Sequence, residues 1–138
     1  MFVEAFFKTL IAWAKSNETV LAISVCGSYA QGTQKPDSDV DLILVCDDPD
    51  TLIADTVWCL QFGVLKDKEL EQYGLVQSLR VHYVDGMEVE FGVTGRRWCY
   101  APMDGGTADV INGGLRILYD PERMFSHAIE LACMRINA

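Results

Sequence analysis

The chain has 138 residues, of which 50% are hydrophobic, and a net charge of -9 from 20 acidic and 11 basic side chains. This length and apolar content predict one domain over residues 1–138 with a single well-buried core. An acidic surface repels a phosphate backbone, so the composition argues against a free-standing nucleic-acid-binding protein.

The five cysteines are widely spaced, make an odd number and include no CxxC pair: Cys26, Cys46, Cys59, Cys99 and Cys133. This usage indicates small buried side chains in a reducing compartment, not disulfides or zinc ligands. Glu4 and Lys8 interrupt the apolar N-terminal stretch, and no run reaches the ~20 apolar residues that span a bilayer. The sequence therefore predicts a soluble, cytoplasmic protein without a membrane segment.

The first half of the chain predicts two helices and two strands. Apolar residues recur at three- and four-residue intervals over 2–15, from Phe2 onward, which indicates a helix with a broad buried face. Val20–Cys26 and Val40–Cys46 are short, β-rich apolar runs and predict central strands that are buried on both faces. Helical spacing returns over residues 50–60.

The middle of the chain predicts a β-hairpin. Residues 66–72 are charged and poor in apolar side chains, so we expect an exposed or mobile stretch there. Residues 75–84 and 87–93 are β-type runs, and Asp85-Gly86 between them is a strong hairpin signal.

The last third of the chain is rich in glycine. Residues 95–114 predict irregular backbone with one short helix at about 107–111. A strand is expected over 115–119. Asp120-Pro121 then predicts the start of a final helix to about residue 136, with the aspartate as N-cap and the proline at the first helical position.

A short turn after the first predicted strand suits a phosphate group. Gly27 lets the backbone bend sharply with no side chain between it and a ligand. Ser28 adds a hydroxyl and a backbone N–H at the start of a short helix, where unpaired amides favour an anion. Ala30 is small enough for that helix to approach the sheet, and Gly32 ends it.

Two carboxylates accompany the second predicted strand. Asp39 and Asp41 are two residues apart, so their side chains point to the same face at ~6–7 Å spacing. Carboxylates this close repel unless a cation lies between them, and oxygen ligands of this kind suit Mg²⁺. On the hairpin, Glu88 and Glu90 also share one face, and either could supply a third carboxylate.

These residues resemble a known signature. Gly27-Ser28-x-Ala30-x-Gly32, with ten residues between Ser28 and the Asp39-x-Asp41 pair, is similar to the GS-x10-D-x-D motif of the DNA polymerase β-like nucleotidyltransferase superfamily. The likeness extends to its minimal and antibiotic nucleotidyltransferases. It implies an α/β (α+β) nucleotidyltransferase fold, in which a short mixed β-sheet is flanked by helices.

The resemblance also implies an activity and a set of residue roles. The activity is transfer of a nucleoside monophosphate, AMP from ATP in the first instance, to an acceptor hydroxyl. Gly27 and Ser28 would hold the β- and γ-phosphates, and Asp39 and Asp41 would bind two Mg²⁺ ions. Glu90 would be the third carboxylate, where the family usually has aspartate.

Two residues between the motif's halves are further candidates for nucleotide binding. Lys35 and Ser38 lie in the segment that joins the phosphate turn to the aspartates. A cation or hydroxyl there could meet the triphosphate, although a surface lysine is equally ordinary. Arg80, Arg96 and Arg97 are alternative contacts for phosphate or acceptor, against exposed loop arginines as the simpler interpretation.

The motif residues belong to the donor half of the reaction, and the acceptor site has to come from elsewhere. Antibiotic nucleotidyltransferases usually have a second, helical domain that forms much of the acceptor pocket, and we expect none within 138 residues. A helical partner, a second copy of the chain or the segment 95–114 would have to supply this site. The alternatives are a minimal nucleotidyltransferase antitoxin that modifies or binds a helical toxin, and a non-catalytic nucleotide-binding module.

Overall fold

A mixed six-stranded sheet with helices on both faces forms the framework, and the computed structural model describes it over residues 3–136. The strands are β1 (Val20–Cys26), β2 (Val40–Cys46), β3 (Leu65–Tyr73), β4 (Val76–Tyr83), β5 (Glu88–Thr94) and β6 (Arg116–Tyr119). The α-helices are α1 (Val3–Ser16), α2 (Ser28–Gln31), α3 (Pro49–Ala54), α4 (Gly105–Asn112) and α5 (Met124–Ile136). Two 3₁₀ helices cover Val57–Phe62 and Arg96–Cys99. The predicted fold class is confirmed.

The strand order brings distant segments together. It runs β3-β4-β5-β2-β1-β6, and β2 pairs with β5 in parallel while the other neighbours are antiparallel. A parallel pair has both strand starts at one edge of the sheet. The polar residues at the beginning of β2 and of β5 therefore lie side by side.

Alternation along the central strands separates two apolar clusters. Val40, Leu42 and Leu44 of β2 pack on the face that α1 and the first 3₁₀ helix cover. Ile43 and Val45 belong to the opposite face, together with residues of α4 and α5. Because successive strand residues point to opposite sides, each central strand is buried on both faces, as predicted.

The predicted hairpin is confirmed, with β4 and β5 antiparallel and a positive φ of 98° at Gly86 in the connecting turn. The first helix and the strand before α5 are also confirmed. Phe2, the predicted first residue of α1, lies outside the described residues. No helix within residues 3–136 combines the length and apolar content needed to cross a membrane.

The helix predicted over 50–60 is wrong in its second half. Helix α3 ends at Ala54, Asp55 is extended, and a 3₁₀ helix follows. The Asp55 carboxylate accepts a hydrogen bond from the Val57 amide at 3.1 Å. Such local side-chain bonding competes with helical pairing, which explains the break.

The stretch 66–72 is exposed as predicted, but it is a regular strand. It forms most of β3, which pairs with β4 along its whole length. Charged side chains are common on edge strands because they prevent pairing with other chains. The low apolar content marks an edge of the sheet and not a loop.

The C-terminal third is more regular than predicted, because a 3₁₀ helix and the eight-residue α4 occupy much of 95–114. The final helix begins at Met124 and not at Pro121, since Arg123 has a positive φ of 57°. The Asp120 carboxylate still accepts hydrogen bonds from the amides of Met124 and Phe125. Burial was also overpredicted for Cys133, which is exposed on α5.

Candidate active site

The turn after β1 requires glycine at its first position. Gly27 has φ 68° and ψ -148°, a conformation that other residues rarely adopt. A Cβ atom at this position would lie 2.5 Å from Oδ2 of Asp41. The absent side chain therefore leaves room for the Asp41 carboxylate beside the turn.

Helix α2 follows this turn directly, as predicted. Ser28 is its first residue, and the amides of Ala30 and Gln31 donate to the Gly27 carbonyl at 3.1 and 3.2 Å. Gly32 ends the helix in the left-handed conformation with φ 73°. The turn and the start of α2 thus lie immediately beside the carboxylates of β2.

Asp41 lies between β1 and β5 at the centre of the site. It is paired with Cys26 on the β1 side and with Glu90 on the β5 side. Asp41 and Glu90 are both half-buried, and their alternation places them on the same face of the sheet. The structure therefore joins the predicted second aspartate to the predicted third carboxylate.

Asp39 forms a second pair, with Glu88. It precedes β2 by one residue and is exposed, and its carboxyl group shares a hydrogen bond with that of Glu88. Glu88 also forms an ion pair with His82, whose other ring nitrogen lies 2.6 Å from the Asp67 carboxylate. Glu88 thus lies beside Asp39, and Glu90 lies beside Asp41.

Crowding of like charges changes the acidity of both aspartates. Burial, and after it the Glu90 carboxylate, raises the pKa of Asp41 to about 7. The hydrogen bond with Glu88, followed by partial burial, raises the pKa of Asp39 to about 6. Protonation or a bound cation would each relieve this repulsion.

Two side chains of β4 hold the Glu90 carboxylate. Ser78 donates a hydrogen bond to its Oε1 at 2.6 Å, and Arg80 approaches its Oε2 at 3.4 Å. Sequence reasoning considered Arg80 only as a phosphate or acceptor contact, and it missed Ser78. The available signal was the alternation of β4, which places Ser78, Arg80 and His82 on the face of Glu90.

Lys35 and Ser38 are placed in a turn before β2. The Lys35 amide donates to the Ser38 hydroxyl at 2.7 Å, and the Ser38 amide donates to the Lys35 carbonyl at 3.0 Å. These contacts join the two residues to each other. Lys35 is exposed, and Ser38 is half-buried next to Asp39.

The carboxylates of the site are candidate ligands for a divalent cation. Within residues 3–136, no three His, Cys, Asp or Glu side chains already have the arrangement of a metal site. The carboxylates instead form the pairs Asp39–Glu88 and Asp41–Glu90. Several carboxylate oxygens on one face, held close despite their repulsion, are the hard ligands that Mg²⁺ takes. The residues present therefore fit this ion chemically.

A cavity of about 520 Å³ opens beside the Asp41–Glu90 pair. Asp41, Ser78 and Glu90 are part of its lining, and the rest comes from β1, β2, the β3–β4 hairpin, β5, the second 3₁₀ helix and α4 with its N-cap Asp104. It lies on the carboxylate face, within reach of any molecule that occupies the site.

The chain belongs to the nucleotidyltransferase domain family, whose profile matches residues 8–95. That match spans the segment from Gly27 to Glu90, whereas the alternative contacts Arg96 and Arg97 lie beyond it. No curated protein matches the chain.

Two solved structures are similar to it at low identity. One is an aminoglycoside 6-adenyltransferase from Bacillus subtilis, with 14% identity, a TM-score of 0.49, and coverage of 62% of this chain and 32% of that chain. This chain therefore spans about a third of that protein's length. The other is a toxin-antitoxin with AMP-PNP, with 13% identity, a TM-score of 0.49, and coverage of 95% of this chain and 86% of that chain.

Proposed function

We propose that the chain transfers a nucleoside monophosphate, AMP from ATP, to an acceptor hydroxyl in a Mg²⁺-dependent reaction. Family membership supports the class of reaction. One observation carries the assignment to these residues: Asp41 is paired with Glu90 across β2 and β5 and lies directly beside the Gly27 turn. Phosphate-binding backbone and metal-binding oxygens are thus adjacent.

In this proposal the donor half of the site is the turn and the β2 aspartates. Gly27 and Ser28 hold the β- and γ-phosphates through backbone amides and the serine hydroxyl. Lys35 and Ser38 contribute further contacts to the triphosphate from the neighbouring turn. The exposure of Lys35 supports this role, because its ammonium group is available to an anion.

Asp39, Asp41 and Glu90 would hold the metal, in a two-ion arrangement. When bound, Mg²⁺ neutralises phosphate charge and lowers the pKa of an attacking hydroxyl. The Asp41–Glu90 pairing supports Glu90 as the third carboxylate. Ser78 and Arg80 orient this carboxylate toward the reacting groups.

The reaction conserves atoms and charge in one displacement. The acceptor oxygen forms a bond to the α-phosphorus, and the bond from that phosphorus to the bridging oxygen breaks. Pyrophosphate leaves with the electron pair, and the acceptor proton passes to Glu90 or to water. In-line geometry requires the acceptor to approach from the side opposite the pyrophosphate.

The direct test combines calorimetry with a pyrophosphate-release assay. Titration with each of the four nucleoside triphosphates, with and without Mg²⁺, is expected to show metal-dependent binding that is tightest for ATP. Pyrophosphate release with a panel of acceptors then separates the enzyme from a non-catalytic nucleotide-binding module. Tight binding without release for any acceptor would exclude transferase activity.

Asp39→Asn and Asp41→Asn test the metal site. Each change removes one ligand charge and also the repulsion from its glutamate partner. We expect Mg²⁺-dependent ATP affinity to fall by about 100-fold, which corresponds to about 2.8 kcal/mol. Melting temperature without metal is expected to stay the same or rise. An unchanged titration in both variants would contradict the assignment.

The acceptor in this proposal is either a small molecule or a hydroxyl group of another protein. A partner protein or a second copy of the chain could supply part of the acceptor site. Co-purification from the native host, with mass spectrometry for associated proteins and for nucleotide adducts, distinguishes these sources. A partner protein recovered with a covalently attached nucleotide would identify a protein acceptor.

A further inference from the structure

The cavity beside Asp41 and Glu90 has the size and lining of a small-molecule site. Its volume of about 520 Å³ lies within the ~300–1,000 Å³ typical of ligand pockets. Most of its lining is apolar, with the buried Ile43 and Trp98, the half-buried Val76 and the exposed Leu75 and Val110. The acidic residues of the lining are Asp41 and Glu90 on the sheet and Asp104 before α4.

Glycine keeps this space open. Gly92 lies on β5 two residues beyond Glu90, on the same face, and it lines the cavity. A Cβ atom there would lie 2.8 Å from the Leu42 carbonyl oxygen and 3.1 Å from side-chain atoms of Ile43 and Val76. A larger residue at this position would disturb the sheet as well as fill the pocket.

The charge of the lining restricts what can bind. Its ionisable acids are Asp41, Glu90 and Asp104, and no lysine, arginine or histidine lines it within the described residues. Asp104 accepts a hydrogen bond from the Thr107 amide at 2.7 Å, and that bond holds its pKa below the ordinary value. An anionic occupant would therefore be repelled, whereas a neutral or cationic one would not.

The position of the cavity matches the acceptor side of the proposed reaction. Gly27 lies next to Asp41 on the β1 side, whereas Glu90 and Ser78 lie on the β5 and β4 side. Phosphates held at Gly27 would leave toward β1, and in-line displacement places the acceptor on the other side. Ser78, Glu90 and Gly92 line the cavity on that other side together with the β3–β4 turn, whereas β1 contributes Cys26.

We propose that this cavity is the acceptor subsite and that it takes a small neutral or cationic molecule with a hydroxyl on an apolar, ring-sized body. The hydroxyl lies at the Asp41–Glu90 end and the body lies against Trp98 and Val76. The assignment of the cavity as an acceptor site rests on the proposed nucleotidyl transfer. Its ligand binding is measurable without any nucleotide.

Tyramine is the probe, because it joins a phenol hydroxyl to an apolar ring and a cationic amine. Its matched control is 3-(4-hydroxyphenyl)propanoate, which replaces the amine with a carboxylate. We expect wild-type protein to bind tyramine at least about tenfold more tightly than the anionic analogue, measured by calorimetry without nucleotide. Equal affinities, or no tyramine binding, would overturn the proposal.

Two neighbouring glycines of α4 provide matched variants. Gly106 lines the cavity, and a Cβ atom there would have only Asp104 Oδ1 nearby, at 3.5 Å, so Gly106→Leu fills space without a backbone clash. Gly105 does not line it, and its Cβ atom would lie 3.3 Å from Nη2 of Arg135, at the far end of that side chain. Tyramine affinity is expected to fall at least about tenfold in Gly106→Leu and to change less than about twofold in Gly105→Leu.

Val110→Phe is a second blocking variant at an exposed position, should Gly106→Leu fold poorly. If the Gly105 and Gly106 variants bind tyramine equally, the cavity is not its site. ATP affinity in the presence of Mg²⁺, measured on the same samples, separates the other outcomes. Loss of ATP binding in Gly106→Leu with tyramine binding intact would make the cavity a nucleobase site and overturn the proposal.

The two proposals fail separately in this experiment. If wild-type protein binds tyramine as expected but does not bind ATP with Mg²⁺, the nucleotidyl-transfer function fails and the acceptor role fails with it. The cavity would then stand only as a ligand site. If ATP binds and tyramine does not, the donor site stands and the acceptor subsite is wrong.

Discussion

The two faces of strand β5 differ in how deeply their side chains are buried. Val89, Phe91 and Val93 are completely buried in the cluster beneath α1. Glu88 and Glu90, which alternate with them, are half-buried on the other face, where the sheet borders a cavity. One strand therefore provides the centre of the core and one wall of the candidate site.

This difference separates stability from chemistry within a single element. The closed face gains free energy from apolar burial, at about 25 cal/mol per Å². The open face holds like charges together, which costs stability unless protons or cations compensate. Changes on the closed face are thus expected to alter folding, and changes on the open face to alter binding and turnover.

Phe91→Ala is the largest expected change on the closed face. The Phe91 ring contacts those of Phe6, Trp58 and Phe62, so its removal leaves a cavity in an aromatic cluster. We expect the free energy of unfolding to fall by about 3–5 kcal/mol in urea denaturation. Val84→Ala, at an exposed position, is the control and is expected to change it by less than about 0.5 kcal/mol.

Gly27→Ala tests the link between the phosphate turn and the open face. The new methyl group would meet the Asp41 carboxylate, and we expect Mg²⁺-dependent ATP affinity to fall by about 100-fold in calorimetry. Gly32→Ala is closely matched, because Gly32 also has a positive φ but no atom within 4 Å of its Cβ position. Equal losses of affinity in both variants would attribute the effect to backbone strain alone.

Glu90→Gln and Glu88→Gln compare the two glutamates of the open face. Each substitution removes one negative charge from a pair, so both leave the fold intact. We expect turnover to fall by about 100-fold for Glu90→Gln, as for a lost proton acceptor or metal ligand, and by less than about fivefold for Glu88→Gln. A reversed order of effects would transfer the role of third carboxylate to Glu88.

Ser78→Ala is the smallest change and tests how Glu90 is held. Loss of the 2.6 Å hydrogen bond to Glu90 is expected to lower kcat about tenfold, or about 1.4 kcal/mol, with KM for ATP within about twofold. The control is Ser24→Ala, since Ser24 is equally buried but its hydroxyl has no hydrogen-bond partner in the part of the chain described. Matching kinetics in the two variants would remove Ser78 from the site.

Sequence reasoning succeeded where the signal is local. Three kinds of feature depend on neighbours only a few residues away in the chain. They are the apolar runs that form β1 and β2, the turn at Gly86 and the end of helix α2 at Gly32. The parity of Asp39 and Asp41 likewise follows from strand geometry alone. These features were predicted correctly without knowledge of the sheet order.

It failed where distant segments decide the outcome. The charged residues 66–72 become a strand only because β4 is available to pair with them. Strand alternation alone left both Glu88 and Glu90 open as the third carboxylate, and only the family resemblance favoured Glu90, because the choice depends on the register of β2 against β5. Ser78 was overlooked for the same reason, since its importance depends on the residue opposite it.

The parallel pairing of β2 with β5 also affects the order of folding. Asp41 and Glu90 lie on paired strands that are separated along the chain by α3, the first 3₁₀ helix and the β3–β4 hairpin. Contacts across so long a loop form late, because the entropy of closing the loop must be lost before they contribute. We therefore expect the carboxylate cluster to assemble only in the nearly complete fold. A partly folded chain would have the phosphate turn without the metal-binding site.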